Sequence, residues 1–113
     1  MITTVPASPG VVCEAVAARF LHMCPVKDEV DNGALTIGWT TTDVTIELHS
    51  LAAYLRSWAD AAITHEELCL QIVEDLAWTR VTNVTVSYTG TTAGLLITAT
   101  GGNYPLPSQP LRG

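Results

Sequence analysis

Between Val11 and Leu21 the chain is dense in Val, Ala and Phe and follows the turn residues Pro9-Gly10, which predicts a first strand. The next stretch, Cys24 to Gly33, mixes Pro25, charged residues and Asn32-Gly33 and reads as the loop that leads to a second strand. That strand is predicted over Ala34 to Thr40, where Leu35, Ile37 and Trp39 alternate with Thr36 and Gly38, and Thr45 to Leu48 continues it after a bend. From Ser50 the period changes. Leu51, Tyr54, Leu55, Trp58 and Ala62 fall on one face of a helix capped by Ser50. Thr64 then opens a capping box with Glu67, and Leu68, Ile72 and Leu76 make the stripe of a second helix from about His65 to Trp78. Val84, Val86 and Tyr88 within Asn83 to Thr89, and Leu95, Ile97 and Ala99 after Gly90-Thr91-Thr92-Ala93-Gly94, return to period two and form a closing hairpin.

The expected order is strand, strand, helix, helix, strand, strand. It implies an α+β fold, a four-stranded antiparallel sheet with both helices on one face and the other face left for partners or ligands. The expected organisation is a leader over residues 1–10, one domain over 11–100 and a tail over 101–113, whose Pro105, Pro107 and Pro110 cannot enter a sheet interior.

Composition narrows the picture. The 113 residues are 48% hydrophobic and 14% charged, with a mean hydropathy of +0.30. That is one domain whose apolar excess exceeds what a chain of this size can bury alone, so a homo-oligomer is expected. A formal charge of -6 repels phosphate backbones and argues against general nucleic-acid binding. The first residues lack a basic, apolar signal pattern and no stretch approaches a membrane span, so the expected location is the cytoplasm. Cys13, Cys24 and Cys69 are odd in number and lack zinc-ribbon spacing, which speaks against a disulfide framework. No recognisable ligand spacing joins His22, His49, His65 and Cys24, so no metal is expected.

Cys24 precedes Pro25, which rigidifies the chain beside the thiol, and Asp31 follows seven residues later. A folded-back loop would bring that carboxyl to the thiol, or to a substrate atom bonded to it, for proton relay. Taken alone, an intracellular cysteine is more often a small buried apolar side chain, and Cys13 and Cys69 are read that way. His65-Glu66 opens the second helix, where a first-turn acid has a structural reason of its own. The functional alternative has His65 exchanging protons beside the thiol and Glu66 accepting hydrogen bonds from a ligand edge.

Taken together, Cys24-Pro25, Asp31, Glu47 and His65-Glu66 resemble the 7-cyano-7-deazaguanine reductase (QueF) family and its QueF-like relatives, of the tunnelling fold (T-fold). The separations from Cys24 to Asp31 to Glu47 to Glu66 are seven, sixteen and nineteen residues. The resemblance runs from about Phe20 to Leu76 and more loosely through Ile97, and includes Ser50-Leu51, Tyr54-Leu55 and Asp75-Leu76. It implies subunit rings stacked face to face, with pairs of subunits sharing each site. It also implies a covalent thioimide: the Cys24 thiolate adds to the nitrile of 7-cyano-7-deazaguanine (preQ0), Asp31 protonates the nitrile nitrogen, His65 assists, and Glu66, with Glu47, binds the substrate.

In the reductases the thioimide is reduced by NADPH to the 7-aminomethyl form used in queuosine-type biosynthesis, and the reading placed first here is such a nitrile reductase. His49 and Ser50 occupy the cofactor motif. That motif has the form Glu, any, Lys, small, apolar, Lys, whereas this chain has Glu47-Leu48-His49-Ser50-Leu51-Ala52, with neither lysine. A basic residue before the Gly-Gly of the last hairpin is also absent from Thr91-Thr92-Ala93-Gly94. The alternative implied by the same resemblance is a QueF-like amidinotransferase, which attacks the thioimide with ammonia on tRNA or DNA without NADPH. A third possibility is a T-fold module that binds a purine without catalysis.

Overall fold

The alternating segments become strands and the 3.6-period segments become helices, in the order β1 (Thr4–Pro6), β2 (Val12–Met23), β3 (Val30–Thr40), β4 (Val44–Ile46), α1 (Leu48–Arg56), α2 (His65–Ala77), β5 (Thr82–Thr92) and β6 (Leu95–Gly102). The computed structural model describes residues 1–26 and 30–102, with backbone alone at Val30 and Asp31. The expected tail therefore lies outside the described residues from position 103 onward, as do loop positions 27–29. Strands β2, β3, β5 and β6 form one antiparallel sheet in the order β2-β3-β5-β6. Both helices cover the same face of it. Leu51 of α1 and Leu68, Ile72 and Leu76 of α2 share one buried cluster with Phe20, Leu35, Ile37, Trp39, Val84 and Val86. The uncovered face carries hydroxyls that pair across strands, Thr89 with Thr98 and Thr100 with Ser87, each at 3.1 Å. Among the described residues no helix is long and apolar enough to cross a membrane.

Several boundaries differ from the sequence expectation for identifiable reasons. Within the expected leader, Thr4–Pro6 pairs with Val44–Ile46 in a separate two-stranded sheet, so the expected continuation of the second strand instead leaves the main sheet. Helix α1 starts at Leu48 and is capped by Glu47 rather than by Ser50. A longer side chain wins because it reaches two amides at once. The Ser50 hydroxyl instead donates to the Glu47 carbonyl at 2.8 Å and accepts from the Thr3 N–H at 2.9 Å. The final hairpin turns on Ala93-Gly94 alone. Their φ values of 55° and 78° suit a two-residue turn matched to strand twist, which lets β5 run on through Thr92.

One irregularity decides which side chains enter the core. In β2 the pairing passes from Ala17 opposite Leu35 to Phe20 opposite Gly33, so one extra residue is accommodated on β2. A bulge of this kind reverses the side-chain alternation beyond it. Before the bulge Ala15 and Ala17 face the core; beyond it Phe20, His22 and Cys24 are buried while Leu21 is exposed.

Candidate active site at the end of the sheet

The bulge brings Cys24 into the protein, with 8% of its surface exposed. Backbone pairing then places the chain before it against the approach to α2. The Met23 N–H donates to the Ala61 carbonyl at 2.9 Å and the Ile63 N–H donates to the Met23 carbonyl at 3.2 Å, a parallel bridge centred on Met23 and Ala62. Cys24 is the residue after this bridge on one side, and Thr64-His65 follows it on the other. Thr64 caps α2 by accepting the Glu67 N–H, which fixes His65 in the first turn.

His65 is buried and stacks on Tyr88 of β5, with ring centroids 4.5 Å apart and planes 19° apart. His22 stands across both rings, 5.2 Å from His65 at 81° and 5.3 Å from Tyr88 at 86°. The Tyr88 ring lies over two directly opposed glycines, Gly33 of β3 and Gly90 of β5. A β-carbon at Gly90 would come within 2.5 Å of the tyrosine oxygen, so the absence of side chains at this pair is what admits the ring. Asp31 is not at a loop end as expected: it belongs to β3 and is paired in register with His22 of β2. The expectation that its carboxyl reaches the thiol concerns a side chain outside the described ones.

Glu66 is exposed at the start of α2. Together with Cys69, Leu70 and the strand Ile97 to Gly101 it lines a cavity of about 260 Å³. Glu66 is the one carboxylate in this lining, beside apolar side chains and the hydroxyl-bearing Thr98 and Thr100. Cys69 in that wall is 1% exposed and its Sγ–H lies 3.4 Å from the Ala99 carbonyl. Burial pushes this thiol above its ordinary pKa, a hydrogen bond from the Tyr88 backbone opposes the shift, and Glu66 adds to it. Cys69 is thus held as a thiol, in keeping with the structural role expected of it.

The remaining sequence candidates gather at the start of α1. The Glu47 carboxylate accepts from the N–H groups of Ser50 at 2.8 Å and His49 at 2.9 Å, and from the His49 ring at 2.9 Å. These bonds, led by the His49 amide, hold the Glu47 pKa below the usual carboxylate value. A carboxyl depressed in the folded state stabilises above its unfolded pKa and loses that contribution as pH falls through the folded pKa. The His49 and Ser50 amide resonances are therefore expected to titrate together, with a midpoint below that of an ordinary glutamate. A midpoint at or above it would refute the cap. Glu47 caps one end of α1, while Met23 is tied to the segment beyond the other end.

This cap also tests the fit of the NADPH that the resemblance implies. Phosphates need cationic or N–H partners, and here the helix amides nearest the motif are taken by a carboxylate. Among the described residues Arg80 lies 3.7 Å from Asp43. Arg19 and Arg56 border a separate groove of about 620 Å³ between β2 and α1, floored by Phe20, Leu51 and Leu55. That groove is lined by neither Cys24 nor His65. Arg56 is the last residue of α1, seven positions or roughly 10 Å along the helix from His49. The motif residues present do not fit the phosphates of NADPH.

Sequence reasoning missed His22 and Tyr88 as members of this cluster. The period-two relation of Phe20, His22 and Cys24 was the available signal, but the bulge that turns it inward leaves no mark in the hydrophobic pattern.

No protein-family model matches the sequence, and no curated protein matches it. Among solved structures the chain is similar to that described as the archaeosine synthase QueF-Like in the apo form. The TM-score is 0.82 at 19% identity, over 89% of this chain and 100% of that one. The likeness establishes the T-fold expected from the resemblance.

Proposed function

We propose that this chain is a QueF-like thioimide-forming enzyme that acts on the nitrile of a 7-cyano-7-deazaguanine and completes the reaction with ammonia, yielding the amidine. The observation that carries the reading is the Met23–Ala62 bridge, which pairs the end of β2 with the chain that enters α2 and so supports a shared site for Cys24, His65 and Glu66. In this reading the Cys24 sulfur bonds to the nitrile carbon and the nitrile nitrogen takes up a proton, from Asp31 or through His65. Glu66 accepts N–H groups of the deazaguanine ring at the mouth of the cavity it lines. Ammonia then adds to the thioimide carbon, and the carbon–sulfur bond breaks to release the amidine and return the thiolate.

Ammonia is preferred over hydride because the Glu47-capped start of α1, without either motif lysine, supplies no partner for the phosphates of NADPH. The likeness to an archaeosine synthase points the same way. Reduction is the second reading, favoured by the retained Glu47, Ser50, Leu51 and Tyr54 of the cofactor motif. A charge of -6 favours a free base or nucleoside over a polyanion as the carrier of the nitrile. The reading also carries a homo-oligomer. The sheet ends at β2 and β6, two edges that expose Val12, Val16, Leu95 and Leu96, and apolar open edges call for a partner strand.

One assay tests the choice. The protein is incubated with 7-cyano-7-deazaguanine as free base, nucleoside or within tRNA, with ammonium and NADPH supplied separately. Amidine formed with ammonium alone is the expected result. Aminomethyl product with NADPH consumption would replace it with the reductase, and no product or adduct on any form would overturn both.

A further inference from the structure

We infer that His22 is a positioning residue of this site, acting through the imidazole of His65; the inference rests on the thioimide reading given above. His22 is 0% exposed, so its ring is fixed among its neighbours. Its place in the fold relates it to each of the three proposed catalytic residues. It precedes Cys24 by two positions along β2, it is paired in register with Asp31 across β3, and its ring packs against His65.

The ring geometry makes His22 the element that limits how His65 can turn. His65 and Tyr88 are nearly parallel, so their stack alone would let the imidazole slide or rotate in its own plane. A third ring perpendicular to both, 5.2 Å and 5.3 Å from their centroids, blocks that in-plane movement. Edge-to-face contacts of this kind are directional as well as attractive. Tyr88 is itself held over Gly33 and Gly90, and Phe20 backs His22 at 6.0 Å. The His65 ring thus has a fixed wall on two sides, as a group that must transfer a proton in one orientation requires.

The test compares His22→Ala, which removes the wall, with His22→Phe, which keeps a flat ring and removes the nitrogens. Two quantities are read: the aromatic proton shifts of His65, moved upfield by the ring current of Tyr88, and the steady-state constants for amidine formation. His22→Ala is expected to lose the upfield shift and to lower kcat about 10- to 100-fold, with KM changed less than twofold. His22→Phe is expected to keep the shift and most of kcat. If His22→Ala melts below the assay temperature, His22→Leu, with volume but no flat ring, replaces it. An unchanged His65 resonance and kcat in the variant lacking the ring would overturn the inference. So would a His22→Phe enzyme with the resonance preserved and kcat lost, which would mean that His22 acts through its nitrogens. If wild-type protein forms no Cys24 adduct, the thioimide reading fails, while the resonance comparison still decides whether His22 orients His65.

Discussion

Replacing Cys24 by alanine is expected to abolish the covalent adduct with a 7-cyano-7-deazaguanine and to lower turnover by on the order of 10³-fold or more, as removal of a nucleophile does. The chain carries its own controls. Cys69 is more deeply buried than Cys24, donates to Ala99 and is held protonated by its surroundings, so it lacks the thiolate that attack requires. Cys13 is half-buried on β2 before the bulge, at the far end of that strand from the His65 pair. Intact-protein mass spectrometry should therefore show one added ligand mass, mapped by digestion to Cys24, and it should persist in Cys13→Ala and Cys69→Ala proteins. Thermal melting of Cys24→Ala should stay close to wild type, because the change removes one small atom. An adduct that survives Cys24→Ala, or maps to Cys69, would remove the basis of the proposed chemistry.

The second large effect concerns stability. Gly33→Ala should destabilise the fold by about 3 kcal/mol, the upper end of what overpacking a close contact costs. Its β-carbon would stand 2.5 Å from the Thr89 carbonyl oxygen and 2.6 Å from the Cζ and oxygen of Tyr88. A flexible side-chain tip could move away, but a ladder carbonyl between β3 and β5 can do so only by breaking strand pairing. Tyr88 would have to lift from the Gly33–Gly90 pair and take the His65 stack with it. Urea denaturation is expected to show a lower midpoint at unchanged slope, together with loss of the ring-current shift on His65. A midpoint within experimental error of wild type would show that the sheet yields more readily than its geometry implies. Gly94→Ala makes the contrast: a β-carbon there meets nothing within 4 Å, but its φ of 78° imposes only the modest cost of a left-handed residue.

Much of this molecule was legible in local pattern. Alternation at Leu35, Ile37 and Trp39 and again at Val84, Val86 and Tyr88, and the helical stripe of Leu68, Ile72 and Leu76, are direct consequences of one face needing burial, and each is buried as the period requires. The Thr64 cap was readable because its partner lies three residues away. Glu47 was not recognised as a cap, since a glutamate reaching two amides competes with the more usual serine. The β1–β4 pair was missed because its partners are some forty residues apart and three-residue strands have no measurable period.

Among the proposed site residues, Cys24, His65 and Glu66 were identifiable by type and spacing, and the sequence by itself determined that a thiol, an imidazole and carboxylates exist on particular elements. It also determined the T-fold order of those elements, because hydrophobic period and caps are local. Only the tertiary structure decided that Cys24 faces inward with His22, and that Glu47 is the cap of α1. The physical reason is that a bulge shifts the register by one residue and so moves every later side chain to the opposite face. Its occurrence depends on the neighbouring strand, here Leu35 and Gly33 of β3, and no local period records it.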